Sequence, residues 1–158
     1  MTKIYLAFGS NLGDRKNNIE RALAALAPEI TIIKTSPFYE TSPMYIEDQP
    51  TFLNIVSEAE TDLAAEEVFQ KIVMIQNNAA AHMHNMPRII DVDLIFYGQE
   101  IISTADLIVP HPKMRERDFV LQPLFDIAPN LLDPVTGKRV QELLAEIPPH
   151  SRSVIRVV

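Results

Sequence analysis

The apolar pattern along the chain predicts an α+β fold: a mostly antiparallel sheet flanked by helices. Strand-like runs alternate with two segments of helical period. The resulting order, β-α-β-β-α-β, is that of a split-βαβ, ferredoxin-like sandwich. The 158 residues suit a single domain spanning 1–158, large enough to bury a core without a disulfide or metal staple.

Each element follows from local pattern. Ile4–Phe8 is an apolar run of strand length, ended by Gly9-Ser10-Asn11. Ile19, Ala22, Leu23 and Leu26 then sit at i, i+3, i+4 and i+7, an amphipathic helix closed by Pro28. Thr31–Tyr39 is rich in β-branched and aromatic residues and reads as a strand, with Pro37 marking an edge or a bulge. Thr41–Pro50 holds two prolines and reads as a loop, and Phe52–Glu60 as the next strand. Ala64, Val68, Ile72 and Ile75 predict a second helix starting near Asp62. Ile89–Tyr97 is a clear strand, and Leu107–Val109 a short extended piece stopped by Pro110. Phe119–Ile127 and Val140–Glu146 read as short helices, and the alternating tail Ser153–Val158 as an edge strand.

Composition excludes several functions. The formal charge of −7 disfavours broad binding to nucleic acid or to an anionic membrane. No apolar stretch approaches the ~20 residues of a membrane span, and the N-terminal pattern is not that of a signal peptide, so the expected compartment is the cytoplasm. Without cysteine there is no thiol catalysis and no Cys-type zinc site. Four glycines, Gly9, Gly13, Gly98 and Gly137, cannot spell a dinucleotide fingerprint or a Walker loop, so any nucleotide phosphates must be held in another way.

The most informative string is Pro87-Arg88-Ile89-Ile90-Asp91-Val92-Asp93-Leu94-Ile95-Phe96-Tyr97. Alternation on a strand puts Ile90, Val92, Leu94 and Phe96 on one apolar face, expected to be the core side. It puts Asp91 and Asp93 on the other, with Cα atoms about 7 Å apart. Two carboxylates this close repel unless a cation lies between them, and hard oxygen donors in an accessible site suit Mg²⁺. The same pair also reads as the solvated side of a half-exposed strand, although Asp is depleted in strands.

Other segments carry weaker signals. Phe52 and Asn54 share a strand face, where a ring and an amide could stack on a flat heterocycle and read its edge, or else serve the core and a turn. Thr41, Ser42 and Met44 lie in the preceding loop and could complete such a pocket. His111, Lys113, Arg115 and Arg117 put four basic side chains within seven positions of an acidic chain, either a site for a compact polyphosphate or an ordinary loop paired with Glu116 and Asp118. His82 and His84, with no cysteine or nearby carboxylate, read as surface histidines.

Five ordered blocks together resemble the hydroxymethyldihydropterin pyrophosphokinases of folate biosynthesis. They are Ala7-Phe8-Gly9-Ser10-Asn11-Leu12-Gly13-Asp14; Ser36-Pro37-Phe38-Tyr39-Glu40-Thr41 with Pro43; Asp48-Gln49-Pro50 with Phe52-Leu53-Asn54; Pro87-Arg88 with Asp91-Val92-Asp93-Leu94; and Pro110-His111-Pro112 with Met114, Arg117, Phe119-Val120-Leu121 and Pro123-Leu124. The resemblance runs from about Ile4 to Pro129. It implies transfer of pyrophosphate from ATP to the hydroxymethyl group of 6-hydroxymethyl-7,8-dihydropterin, with release of AMP. It implies catalytic roles for Arg88, Asp91 and Asp93, the two carboxylates holding two Mg²⁺ ions. It implies a pterin ring between Phe52 and Phe119, its edge read by Asn54 and by Thr41, Ser42 and Met44. Arg88, His111 and Arg117 would lie on the phosphates, with Leu94 and Ile108 beside the nucleotide. A monomer acting on these two small molecules, with no nucleic acid or membrane partner, is expected.

One stretch departs from the family pattern. Members usually carry a Glu at the end of the second helix and then a loop rich in arginine, with a Gly-Arg-x-Arg string and often Trp-Gly. Here Gln76 takes the Glu position, and the loop is shorter by a few residues and has no Arg or Trp before Arg88. Asp106 stands where some members have a basic residue near the nucleotide. The expectation is that pterin binds but turnover is slow, since a charged lid adds orders of magnitude to phosphoryl transfer. Two alternatives stay open: a weak or inactive pterin-binding relative, and a different Mg²⁺-dependent phosphotransferase.

Overall fold

The computed structural model describes residues 1–44, 48–81 and 89–158, with backbone only at 80 and 81. The elements run β1 (Thr2–Ser10), α1 (Arg15–Ala25), β2 (Ile30–Thr35), β3 (Tyr39–Thr41), β4 (Phe52–Thr61), α2 (Ala65–Ala81), β5 (Asp91–Tyr97), β6 (Ile102–Ser103), β7 (Ile108–Val109), α3 (Asp118–Ile127), α4 (Val140–Glu146) and β8 (Val154–Val157). The main sheet is antiparallel, in the order β5-β1-β4-β3-β8, with β2 also on β4. The α+β expectation and the β-α-β-β-α-β core hold.

The strand expected at Thr31–Tyr39 is two strands, both paired to β4. β2 takes its Ser57–Thr61 half and β3 its Phe52–Asn54 half. Pro37 sits in the break, where Ser36 keeps the ladder satisfied: its N–H donates to Val56 O at 2.9 Å and its Oγ accepts from Val56 N at 3.0 Å. The tail is an edge strand as expected, with β8 pairing with β3. The second helix begins later than Asp62, because Glu67 reaches back to the Ala64 N–H at 2.9 Å and closes the helix start there. The β6 strand, which pairs with β7, was not anticipated.

The face assignment on β5 needs a larger correction. Tyr5 pairs with Phe96 but Leu6 pairs with Leu94, so Ile95 is an extra residue, a β-bulge. Beyond it the alternation flips. Val92 and Leu94 join the core under α1 and α2 with Ile19, Val68 and Ile72. Phe96 instead enters a second core with Tyr5, Met114, Leu121, Leu124 and Leu143 on the opposite face. Both sides of the sheet are therefore covered, α1 and α2 on one and α3 and α4 on the other. The face that carries Asp91 and Asp93 is not a solvated back. It is the wall of a cleft beneath α3.

Candidate active site

β1 makes the floor of this cleft. Gly9 pairs with Asp91 on one side and Asn54 on the other, and Ala7 pairs with Asp93 and Val56. Strands lie about 4.8 Å apart, so Asp91 and Asn54 stand about 10 Å apart across Gly9, which has no side chain. A cavity of roughly 370 Å³ opens over this floor. Its walls include Thr41, Ser42, Met44, Phe52, Asn54, Asp91, Asp93, His111, Arg117 and Phe119. Ten residues nominated from four separate stretches of sequence thus converge on one hollow.

Within it, Asn54 is 7% exposed and donates through Nδ2 to Thr41 Oγ1 at 2.6 Å, which fixes which way the amide faces. Phe52 and Phe119 come from β4 and from the first turn of α3. The loop ahead of Phe52 is held from the start of α1: Asn11 donates to Gln49 Oε1 at 3.1 Å and to Pro50 O at 3.3 Å, and Arg15 to Thr51 O at 3.1 Å.

At the other end, Asp93 lies between two bases. His111 Nε2 is 3.8 Å from its Oδ1 and Arg117 Nη1 4.0 Å from its Oδ2. The His111 N–H donates to the carbonyl of the bulge residue Ile95 at 3.0 Å, which docks the histidine against β5. Its Nδ1 accepts the Lys113 N–H at 3.2 Å, so the proton of the neutral ring sits on Nε2, toward Asp93. Burial pushes the His111 pKa below its usual value against the pull of Asp93, and the charges of Arg117 and Lys113 push the same way. The Arg117 guanidinium also lies over the Phe119 ring, 5.5 Å from its centre.

A second hollow, roughly 640 Å³, lies on the α2 side of β5. Leu94, Ile108, Asp106, Gln76 and Asn77 line it, and it shares Asp93 and His111 with the first. Gln76 accepts the Val92 N–H at 2.8 Å, between the two aspartates. Arg88 lies outside the described residues, as do His82 and His84. Of the basic cluster, His111 and Arg117 line the first hollow, while Arg115 pairs with buried Asp133 through bonds of 2.7 and 3.1 Å. Neither charge nor a polar side chain marks the floor residues Ala7 and Gly9 in the sequence. Their signal was the lack of bulk at alternate positions of an otherwise large-residue strand.

Asp91 and Asp93 are half-buried, and both reach the cavity. Among the described residues no group of three or more His, Asp or Glu gathers as a closed metal cage. Two hard carboxylates on an open wall fit Mg²⁺, which keeps water and takes phosphate oxygens as its further ligands.

Comparison with known proteins bears on the same segments. Residues 5–129 match the family model described as 7,8-dihydro-6-hydroxymethylpterin-pyrophosphokinase (HPPK). The chain belongs to the HPPK family. An HPPK relative from Aquifex aeolicus, named 2-amino-4-hydroxy-6-hydroxymethyldihydropteridine pyrophosphokinase, is 37% identical over 148 residues, which cover 92% of each chain. The folic acid synthesis protein of Dictyostelium discoideum is 42% identical over 147 residues, 92% of this chain but 22% of that protein. The chain thus spans about a fifth of the length of such longer relatives and nearly all of the Aquifex one. The fold matches the crystal structure of wild-type Plasmodium falciparum HPPK-DHPS at a TM-score of 0.70 and 18% identity, over 92% of this chain and 43% of that one. HPPK enzymes are diphosphotransferases that use ATP. No helix among the described residues is long and apolar enough to cross a membrane.

Proposed function

We propose that this chain transfers pyrophosphate from ATP to the hydroxymethyl oxygen of 6-hydroxymethyl-7,8-dihydropterin and releases AMP. One observation carries the assignment of the site: Asp93 and His111 stand on the common wall of two hollows. A flat ring fits the first, with Phe52, Asn54 and Phe119. A nucleotide fits the second, with Leu94 and Ile108 along its side. Two ligands so placed meet at the carboxylates.

Asp91 and Asp93 are the residues that would hold Mg²⁺, two ions when the triphosphate is bound. Bound there, the metal would supply charge neutralisation to the triphosphate. The chain does the rest by positioning. Asn54, its Nδ2 committed to Thr41, presents Oδ1 to the donors of the pterin edge, and Phe52 and Phe119 confine the ring. Thr41, Ser42 and Met44 close that edge. Arg117 and His111 put N–H donors where charge accumulates on the phosphates, and Arg88 is proposed to join them. The hydroxymethyl oxygen then forms a bond to the β-phosphorus while the bond from that phosphorus to the oxygen of AMP breaks, and the hydroxyl proton is released to solvent. Catalysis is alignment plus charge compensation, as phosphoryl transfer requires.

The test is to incubate the chain with ATP, Mg²⁺ and the hydroxymethyl pterin and to resolve the nucleotide products. AMP in step with pterin pyrophosphate supports attack at the β-phosphorus. ADP would mean an ordinary kinase and overturn the proposal.

A further inference from the structure

The buried carboxylate of Asp118 is not used by the reaction just described, yet it sits between two residues that are. Asp118 opens α3, with Arg117 before it and Phe119 after it, and its exposure is 0%. Among the described residues its hydrogen bonds run to the C-terminal segment rather than to its own helix. Oδ2 accepts the N–H of Ser153 at 2.7 Å and of Val154 at 2.9 Å, and Oδ1 accepts the Ser153 hydroxyl at 2.5 Å. Ser153 passes the restraint on. Its carbonyl accepts the Ser42 N–H at 2.8 Å and the Ser42 hydroxyl at 3.3 Å. Val154 stands opposite Thr41 in the β3–β8 ladder, and Thr41 receives the Asn54 amide.

This chain of bonds joins the two sides of the first hollow. One end is the start of α3, which carries Phe119, and the other is the loop Thr41–Ser42. Burying a carboxylate is costly unless it is fully hydrogen-bonded, and one that spends all its bonds on a single distant segment specifies where that segment lies. The family match ends at residue 129, so Ser153 lies beyond it.

We propose that Asp118 is a positioning residue for the pterin slot: through Ser153 it sets the Thr41–Ser42 loop against Phe119. The proposal rests on the pterin reading above and names a determinant of that same site. The second hollow takes no part in the relay, so the predicted effect falls on pterin and spares ATP.

The experiment uses the full chain with Asp118→Ala, Asp118→Asn and Ser153→Ala. Pterin dissociation constants are measured without nucleotide, KM values for both substrates are measured in turnover, and folding is followed by thermal melting. Asp118→Ala should raise the pterin dissociation constant and KM by about tenfold or more and leave the ATP KM within about twofold, since charged hydrogen bonds at a buried site are lost. Asp118→Asn, which keeps an oxygen for the two N–H groups and offers N–H to the Ser153 hydroxyl, should stay within about threefold of the parent chain. Ser153→Ala should raise the pterin constant about threefold. A folded Asp118→Ala variant with unchanged pterin affinity, or with both KM values rising together, overturns the proposal. Should Asp118→Ala fail to fold, an unchanged pterin constant in Ser153→Ala overturns it. Parent chain that binds no pterin would instead refute the functional reading beneath it.

Discussion

Gly9 and Asn54 face each other across β1 and β4, and the amide of Asn54 fills the space a side chain at Gly9 would need. A Cβ at position 9 would stand 2.6 Å from Asn54 Oδ1, well inside contact distance. Gly9→Ala should therefore displace the amide, break its bond to Thr41 and act much as Asn54→Ala does. Each substitution should weaken pterin binding by about 1–3 kcal/mol, since a ligand edge is left unpaired. The double variant should lose little more than either alone, because one interaction is removed twice. Titration with pterin in the absence of nucleotide measures this, and additive losses would show that Gly9 and Asn54 act separately.

Asp93→Ala should abolish nucleotide turnover while leaving pterin affinity within a few-fold. The side chain is 42% exposed and stands at the join of the two hollows, so the fold should tolerate its removal while turnover should not. Removing Mg²⁺ with chelator should reproduce the kinetic defect in the parent chain. Loss of the thermal transition in Asp93→Ala would instead make the carboxylate structural.

The parts of this fold written in short-range pattern were legible. α1 and α2 announce themselves by period, β1 and β5 by length and composition, and the Pro37 break by the conformational limits of proline. What was hidden depends on partners far along the chain. The extra residue at Ile95 arises from pairing with Tyr5 and Leu6, and nothing local in the β5 sequence predicts it. Once inserted, it sends Phe96 to a second core and leaves room for His111 to dock on the Ile95 carbonyl. The lining of the cavity was legible for the same reason that its supports were not. Paired aspartates, an amide beside an aromatic and a basic loop are unusual residue choices wherever they occur. Asp118, Ser153 and Gly9 are ordinary residues until the fold brings their partners into reach.

Arg115 and Arg117 lie two apart in sequence and should part in phenotype. Arg115→Ala leaves the wholly buried Asp133 without its bidentate partner, which should cost about 3 kcal/mol of stability with substrate affinities unchanged. Burial works to raise the Asp133 pKa, but hydrogen bonds from Arg115, Thr136 and the Val135 N–H outweigh it and hold the carboxyl below the ordinary range. A folded pKa below the unfolded value of about 3.9 gives stability that is complete above that value and is lost as pH falls through the folded pKa. The gap in melting temperature between parent and Arg115→Ala should therefore be full near neutrality and shrink below about pH 4. A gap that persists into strong acid would place the loss elsewhere.

Between Gln76 and Pro87 the chain has no arginine, and this bears on rate rather than on recognition. Groups that meet the transferring phosphoryl only in the transition state raise kcat, whereas those that hold the pterin set its affinity. The cavity proposed for the pterin is lined by Phe52, Phe119, Asn54 and Thr41, so binding should match that of relatives that carry arginines in this stretch. Turnover should be lower by about a hundredfold or more, as expected when cationic groups at a phosphoryl-transfer site are lost. Single-turnover quench experiments that follow AMP formation separate this from slow product release. The defect should appear in the chemical step with an unchanged pterin dissociation constant, and chemistry as fast as in an arginine-bearing relative would mean that charge from this stretch is dispensable.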